Sequence, residues 1–418
     1  MSAPPASAAK TGTGLSVQGL DDLDVRGKRV LVRVDFNVPV DAQNAITDDT
    51  RIRAALPTLR AILERGGKPV LLTHFGRPKG PGDDTMRVTH IGARLQELLG
   101  SPVLKLDESI GPKVEAAIAA APMGTTVLCE NVRFHPGETK GDEALAQAFA
   151  RLGDCFVGDA FGAAHRDHSS VSGVARLLPS AAGYLMRAEV DAFARVLAQP
   201  KRPLIAILGG AKISDKLSVV DNLLDRCDAV LIGGGMAYTF LAAQGLEIGK
   251  SLYEPDQLET CRAALAKAEA NGVRLLLPID HIAADRFAAD ADAVECGPAV
   301  VAGRMALDIG PKTRALFAKE IAGARTVVWN GPMGVFEMER FRAGTEAIAK
   351  ALAKSKAYSV VGGGDSVAAL HLLGLADEVD HVSTGGGASL ELLEGRVLPG
   401  VAALAGTPAG NGGKASKR

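Results

Sequence analysis

Aromatic residues are scarce: Phe, Trp and Tyr make up 4% of the chain, too few for a platform on which nucleic-acid bases could stack. An excess of charge of either sign is missing too. The 47 basic and 48 acidic side chains leave a formal net charge of -1, so nothing draws the chain as a whole to nucleic acid or membrane, and any basic site has to be local. The cysteines, Cys129, Cys155, Cys227, Cys261 and Cys296, lie far apart without CxxC or metal-type spacing. That pattern suits reduced, packed thiols in a cytosol. The eight histidines form no HExxH or His/Cys grouping, which argues against a permanent zinc site. No apolar run reaches membrane-spanning length, and no charged leader precedes a hydrophobic segment.

What is present is an ordinary globular composition, 47% hydrophobic and 23% charged, in 418 residues, a length that favours two domains over one core. Residues 1–14 are rich in Ala, Pro, Ser, Thr and Gly and read as a disordered leader, with 406–418 a similar flexible tail. Between them, strand-like apolar runs alternate with helical segments. The runs fall at 29–34, 69–73, 126–129, 155–157, 204–208, 229–232, 274–277, 326–329 and 359–361. Continuously apolar strands alternating with helices predict an α/β fold with parallel sheets covered on both faces. A helical segment at 185–197 ends before Pro200 and Pro203, and this helix is the expected junction between two Rossmann-like domains.

Two tandem strand-to-helix turns organise the C-terminal half. Ser359-Val360-Val361-Gly362-Gly363-Gly364-Asp365-Ser366 and His381-Val382-Ser383-Thr384-Gly385-Gly386-Gly387-Ala388-Ser389 each join a β-branched run to a helix through three glycines. Such a turn lets backbone N–H groups approach a ligand, and the helix behind it adds partial positive charge, so the pair predicts phosphate binding. Leu208-Gly209-Gly210-Ala211-Lys212-Ile213-Ser214-Asp215-Lys216 reads as a strand, a glycine turn and a helix carrying two lysines on one face. Gly233-Gly234-Gly235-Met236 is a further glycine turn, and Trp329-Asn330-Gly331-Pro332-Met333-Gly334-Val335-Phe336-Glu337 a rigid loop with an acid suited to a ribose. Two common nucleotide signatures fail. The segment from Gly245 to Ser251 is one residue short of a Walker A loop, and no GxGxxG opens a helix.

The N-terminal half places basic residues at strand ends instead. In Arg33-Val34-Asp35-Phe36-Asn37-Val38-Pro39, alternation puts Arg33, Asp35 and Asn37 on one face, where a buried Arg–Asp pair is an equal alternative to a ligand site. Arg51 opens a helix. His74-Phe75-Gly76-Arg77-Pro78, Glu130-Asn131-Val132-Arg133-Phe134 and the segment from Asp159 to His168 each follow a strand, where open α/β sheets bind ligands. Arginine grips phosphate and carboxylate in bidentate fashion. The division suggests a small anionic substrate on one half and a nucleotide on the other.

Together these blocks resemble the phosphoglycerate kinase family. RVDFNVP, THFGRP, ENVRF, DAFGAAHR, GGAKISDK, IGGGMA, WNGPMGVFE, VVGGGDS and STGGGASLELLEG stand in that family's order across residues 25–404. The resemblance implies transfer of the acyl phosphate of 1,3-bisphosphoglycerate to ADP, giving 3-phosphoglycerate and ATP with Mg²⁺, by a cytoplasmic monomer. It implies two domains about a central cleft: 15–184 for phosphoglycerate and 200–389 for nucleotide, with 185–199 as hinge helix and 390–405 packing back on the first. Asp35, Phe36, Asn37, Arg51, His74, Phe75, Gly76, Arg77, Arg133 and Arg166 are the implied substrate residues. Lys212, Lys216, Gly234, Asn330, Pro332, Glu337, Gly363, Gly364, Asp365 and Ser366 are the implied nucleotide residues. Asp365 is expected to hold magnesium, Glu337 the ribose and Lys212 the moving phosphoryl, with Arg51, Gly363 and Gly386 also catalytic. THFGRP replaces the commoner SHLGRP, and Asp167 adds a carboxylate expected to weaken the grip of Arg166 modestly. The alternatives are a related kinase for another carboxylate and an inactive scaffold of the same fold.

Overall fold

The run Arg-Val-Leu-Val-Arg-Val forms β1 (Arg29–Val34), which is buried from its second residue onward, as expected of a strand covered on both faces. The structure is a computed structural model in which residues 17–80 and 82–405 are described; the terminal stretches expected to be flexible, 1–14 and 406–418, lie outside them. The described chain divides into two compact units, one running to Asp191 and resuming at Val397, the other spanning Ala192–Arg396.

In the first unit β1 is joined by β2 (Lys68–Leu72), β3 (Val103–Lys105), β4 (Thr126–Leu128), β5 (Cys155–Asp159) and β6 (Ser180–Ala182), in the order β3-β4-β2-β1-β5-β6. All five pairings are parallel, so each strand returns through a crossover. Four crossovers carry the helices α1 (Thr50–Glu64), α2 (Thr89–Leu99), α3 (Pro112–Ala120) and α4 (Glu143–Ala150). Val30, Val32 and Val34 of β1 meet Ile52, Leu59 and Ile62 of α1 in the main core cluster. Burial of such side chains is worth about 1.5–3 kcal/mol each. The helix α5 (Tyr184–Leu197) carries the chain from the first unit into the second.

The second unit repeats the plan with β7 (Leu204–Leu208), β8 (Ala229–Ile232), β9 (Arg274–Leu276), β13 (Thr326–Asn330), β14 (Tyr358–Gly362) and β15 (His381–Val382), ordered β15-β14-β13-β7-β8-β9 and parallel throughout. Its helices are α6 (Leu217–Leu224), α7 (Met236–Ala243), α8 (Leu258–Ala270), α9 (Pro311–Gly323), α10 (Ala343–Lys354), α11 (Gly364–Leu372) and α12 (Gly387–Leu393). A second, antiparallel sheet of β10 (His281–Ala284), β11 (Ala293–Cys296) and β12 (Met305–Ile309) was not anticipated from sequence. The return segment divides between the units: residues to Arg396 belong to the second, and α13 (Pro399–Ala405) to the first.

One expectation is corrected. Lys212 and Lys216 do not share a helix face, because α6 begins only at Leu217. Glu254 accepts hydrogen bonds from the Ser214 backbone (3.0 Å) and hydroxyl (2.6 Å), and a tight turn returns Lys216 N to Ile213 O at 2.8 Å. Those contacts hold the segment out of helix. The five cysteines are unpaired and buried, and among the described residues no helix is long and apolar enough to cross a membrane.

Two carboxylates are buried away from solvent. Asp159, ending β5, accepts from Met186 N at 3.2 Å in the first turn of α5, and its Oδ2 has no partner. Asp308, in β12, accepts from Gly344 N at 2.7 Å and Ile309 N at 2.9 Å. Burial pushes both carboxyls up to about 7, against the pull of these donors. A carboxyl raised in the fold takes up a proton on folding. Its favourable contribution is complete below the ordinary value of 3.8 and is lost as pH rises through about 7. Asp159→Asn and Asp308→Asn should therefore each flatten the decline of stability between about pH 4 and pH 7, read from denaturant midpoints. A decline as steep as in the parent protein would contradict the assignment.

Candidate functional site

Because the strands of the first sheet are parallel, the loops after β1, β2, β4 and β5 emerge at one edge. Hydrogen bonds knit them together. Thr73 Oγ1 accepts from Phe36 N (3.0 Å), Asn37 Oδ1 from Gly76 N (2.8 Å), and Asn131 bonds Phe75 through both its oxygen (3.1 Å) and its amide nitrogen (2.7 Å). Arg133 Nη1 donates to Gly76 O at 2.6 Å. Asp35 pairs through Oδ2 with Arg51 Nη1 of α1 at 3.0 Å. Arg77, Arg133 and Arg166 line a cleft of about 380 Å³ with Lys79 and His135.

All ten residues expected at this edge stand on it or beside it, with two qualifications of role. The rings of Phe36 and Phe75 are buried, so these residues serve the edge through their backbone. Arg33 is no partner of Asp35 in a buried pair. Its guanidinium is 1% exposed, donates to Ser170 Oγ at 2.9 Å, reaches His74 Nδ1 at 3.1 Å and also donates to Val34 O. Asp167 does not draw on Arg166 either: its Oδ1 takes Arg176 Nη2 at 2.9 Å and the Ser172 hydroxyl. Sequence reasoning missed Glu138 and Ser170, both buried here, and placed His168, also buried, only as the end of the Asp159-to-His168 segment. A Gly137-Glu138-Thr139-Lys140 turn carries no local signal that its acid faces inward.

His74 is held far below the ordinary imidazole range, first by burial and then by the charges of Arg33, Arg133, Arg51 and Arg166. His168 is lowered to about 4 by burial and by Arg33, Arg166 and Arg133. Burial and Arg166 also lower Arg133. The edge is therefore a field of positive charge around neutral histidines, suited to an anion.

In the second unit the loops after β7, β8, β13 and β14 meet. Gly209 N donates to Asn330 O (3.0 Å), Gly210 N to Pro332 O (3.2 Å), Gly234 N to Met333 O (3.0 Å) and Met236 N to Gly210 O (3.0 Å). A side chain is impossible at the tightest point: a Cβ on Gly209 would lie 2.0 Å from Pro332 O, and one on Gly331, at φ +103°, 2.1 Å from Gly209 O. Beside these loops lies a cavity of about 510 Å³, with walls that include Gly210, Gly234, Pro332, Leu307 and Val335 and with the carboxylates of Glu337 and Asp365. Leu252 and Phe287 also line it while half or more exposed, and the antiparallel sheet supplies Met305 to Asp308. Those residues carried no motif.

The remaining expected residues divide. Lys216 is mostly buried and donates to Asn330 Oδ1; burial lowers it, opposed by Asp365 and Asp215. Asn330 Nδ2 is buried without a partner, beside the N-cap Gly363. Ser366 is buried and its Oγ accepts from Gly331 N at 2.6 Å, so it fastens the loop. A Cβ on Gly364 or Gly386 would meet no atom within 4 Å; both positions are open at helix starts. Lys212 is exposed on the loop after β7, outside the cavity lining. Among the described residues no group of three or more His, Cys, Asp or Glu could hold a metal ion.

Two compact α/β units, one with an arginine edge and the other with a glycine-walled cavity, define a two-unit α/β protein. The phosphoglycerate kinase family model matches residues 20–396. The phosphoglycerate kinase of Synechococcus elongatus is 54% identical over 394 residues, 93% of this chain and 98% of that protein, and that of Moorella thermoacetica is 53% identical over 386 residues, 92% and 98%. The solved phosphoglycerate kinase of Coxiella burnetii superposes with a TM-score of 0.86 at 42% identity, covering 93% of this chain and 98% of the other. The chain belongs to the phosphoglycerate kinase family.

Depression of His74 predicts that its ring stays neutral across the physiological range. Ring ¹⁵N shifts recorded from about pH 5 to pH 9 should show no protonation step. A midpoint near the ordinary imidazole value of 6.5 would contradict the charge assignment.

Proposed function

We propose that this chain is a phosphotransferase with a carboxyl acceptor, moving the acyl phosphate of 1,3-bisphosphoglycerate to ADP reversibly, and so acts in glycolysis and gluconeogenesis. The observation that carries the reading is the near-full-length identity with phosphoglycerate kinases, 54% over 93% of the chain, with both the arginine edge and the glycine cavity intact. Asp35, Asn37, Arg51, His74, Gly76, Arg77, Arg133 and Arg166 bind the phosphoglycerate, with Phe36 and Phe75 contributing backbone. In the cavity, Glu337 takes the ribose, Lys216 and the α11 start at Gly363 and Gly364 take the phosphates, and Gly234, Asn330, Pro332 and Ser366 stand beside the nucleotide.

The attacking group on glycerate is a carboxylate, ionised at neutral pH, so no general base is needed. Positioning and charge neutralisation carry phosphoryl transfer. Arg51, Lys212, Gly363 and Gly386 are assigned to that neutralisation. Asp365 fits Mg²⁺: it is one exposed oxygen donor in the cavity wall at a helix start, and magnesium usually pairs one or two carboxylates with substrate phosphates. Bound there, the ion would offset phosphate charge. Transfer also requires that the two ligands be brought together, for which the α5 helix and the 390–404 return segment are the proposed hinge. A cytoplasmic monomer is the accompanying proposal, in keeping with the buried, unpaired cysteines. Neither an inactive scaffold nor a kinase for another carboxylate is favoured by this degree of identity.

Removing one preorganised donor from a site of this kind costs about 100- to 1000-fold in kcat, and Arg51→Ala and Lys212→Ala should each lose that much or more. Steady-state kinetics with 3-phosphoglycerate and ATP check this, beside a panel of other carboxylates. Near-parental turnover in either variant removes that residue from catalysis, and preference for another carboxylate would replace the substrate.

A further inference from the structure

Beneath the arginine edge lies a carboxylate to which the proposed reaction gives no part. Glu138 is 0% exposed. Its Oε1 accepts from Ser170 Oγ at 2.5 Å and its Oε2 from Ser170 N at 3.0 Å. The Ser170 hydroxyl has one proton, spent on Glu138, so it meets Arg33 as an acceptor, taking Arg33 Nε at 2.9 Å. Arg33 Nη2 then reaches His74 Nδ1 at 3.1 Å. A guanidinium can only donate, which makes Nδ1 of His74 the acceptor and leaves the proton of the neutral ring on Nε2. The alternative, an Nδ1–H given to Asp35, is excluded by distance: Asp35 Oδ1 stands 3.8 Å away, while Asp35 Oδ2 is taken by Arg51 at 3.0 Å. A buried guanidinium without a countercharge is strongly unfavourable. Burial raises the Glu138 carboxyl, but Arg33, Arg133 and both Ser170 hydrogen bonds favour its ionised form, and its charge opposes the cost at Arg33.

We propose that Glu138 and Ser170 are positioning residues which hold Arg33 so that it fixes His74 as the Nε2–H tautomer, a neutral N–H donor for the anionic substrate. The series runs inward to outward as Glu138, Ser170, Arg33 and His74, and it rests on the phosphoglycerate reading of the edge. It is distinct from the edge arginines, because none of Glu138, Ser170 or Arg33 has to touch the substrate. Loss of one hydrogen bond in it frees the ring to exchange tautomers, and part of the donor population is lost or misaimed.

The test uses the full-length protein with Ser170→Ala and Ser170→Thr, the second retaining the hydroxyl. Ring ¹⁵N shifts of His74 without substrate should show Nε2–H in the parent and in Ser170→Thr, and a mixture of tautomers in Ser170→Ala. With substrates, Ser170→Ala should raise KM for 3-phosphoglycerate roughly tenfold to a hundredfold, the effect of one buried charge-assisted hydrogen bond, and leave KM for ATP unchanged. Glu138→Gln should act in the same direction, and Ser170→Thr should restore the parental values. An Nδ1–H ring in the parent protein overturns the proposal. So does a Ser170→Ala variant whose ring is unaltered, or one whose two KM values rise together. The ring measurement needs no substrate, so a parent enzyme inactive on 3-phosphoglycerate would refute the functional reading without deciding the tautomer.

Discussion

Like-charge repulsion is the constraint on which the first unit depends. Arg33, Arg51, Arg133 and Arg166 all act on one histidine, and burial raises the cost of the charge at Arg33 and Arg133. Concentrating cations in this way pays off only if an anion arrives and the protein supplies carboxylates meanwhile. Asp35 holds Arg51 at the rim, and Glu138 opposes Arg33 from below. Parallel β topology makes the concentration possible, because four strands deliver their loops to the same edge and those loops bond to one another before they bond to a ligand. The neutral state of His74 is a consequence of the same field.

The second unit meets a different constraint with backbone instead of charge. Two loops approach so closely that only glycine fits at Gly209 and Gly331, and their N–H and C=O groups satisfy one another there. That contact holds Asn330, Pro332 and Glu337 in a fixed relation to the start of α11, with Ser366 as the fastening. Glycine at 364 answers a different need, since no protein atom stands where its side chain would be; the open space beside a helix N-terminus suits phosphate.

Much of this was legible in the sequence because buried parallel strands are continuously apolar: β1, β7 and β8 fall where their runs begin and end. Most candidate site residues could be proposed because they follow those strands directly and stand in the family motifs; Arg51, in α1, rested on the family resemblance alone. Short edge strands were not. β6 is Ser-Ala-Ala and β3 only three residues long, so neither has a run to read. The antiparallel sheet was missed although it furnishes the wall from Met305 to Asp308. Spacing also misled, as when Lys212 and Lys216 suggested a helix that a bond to Glu254 forestalls. Glu138 marks the deeper limit. Whether an acid in a polar turn is solvated or buried is decided by what folds over it, here the segment carrying Ser170, more than thirty residues away in the chain. Asp167 is the converse case: adjacent to Arg166 in sequence, it is turned to Arg176.

The central claim is that the arginine edge and the glycine cavity serve one phosphoryl transfer. The most direct measurement is formation of 1,3-bisphosphoglycerate from 3-phosphoglycerate and ATP, coupled to NADH oxidation, with and without Mg²⁺. The account predicts turnover that requires both substrates and the metal. A folded protein that binds ATP yet gives no turnover with 3-phosphoglycerate would contradict it.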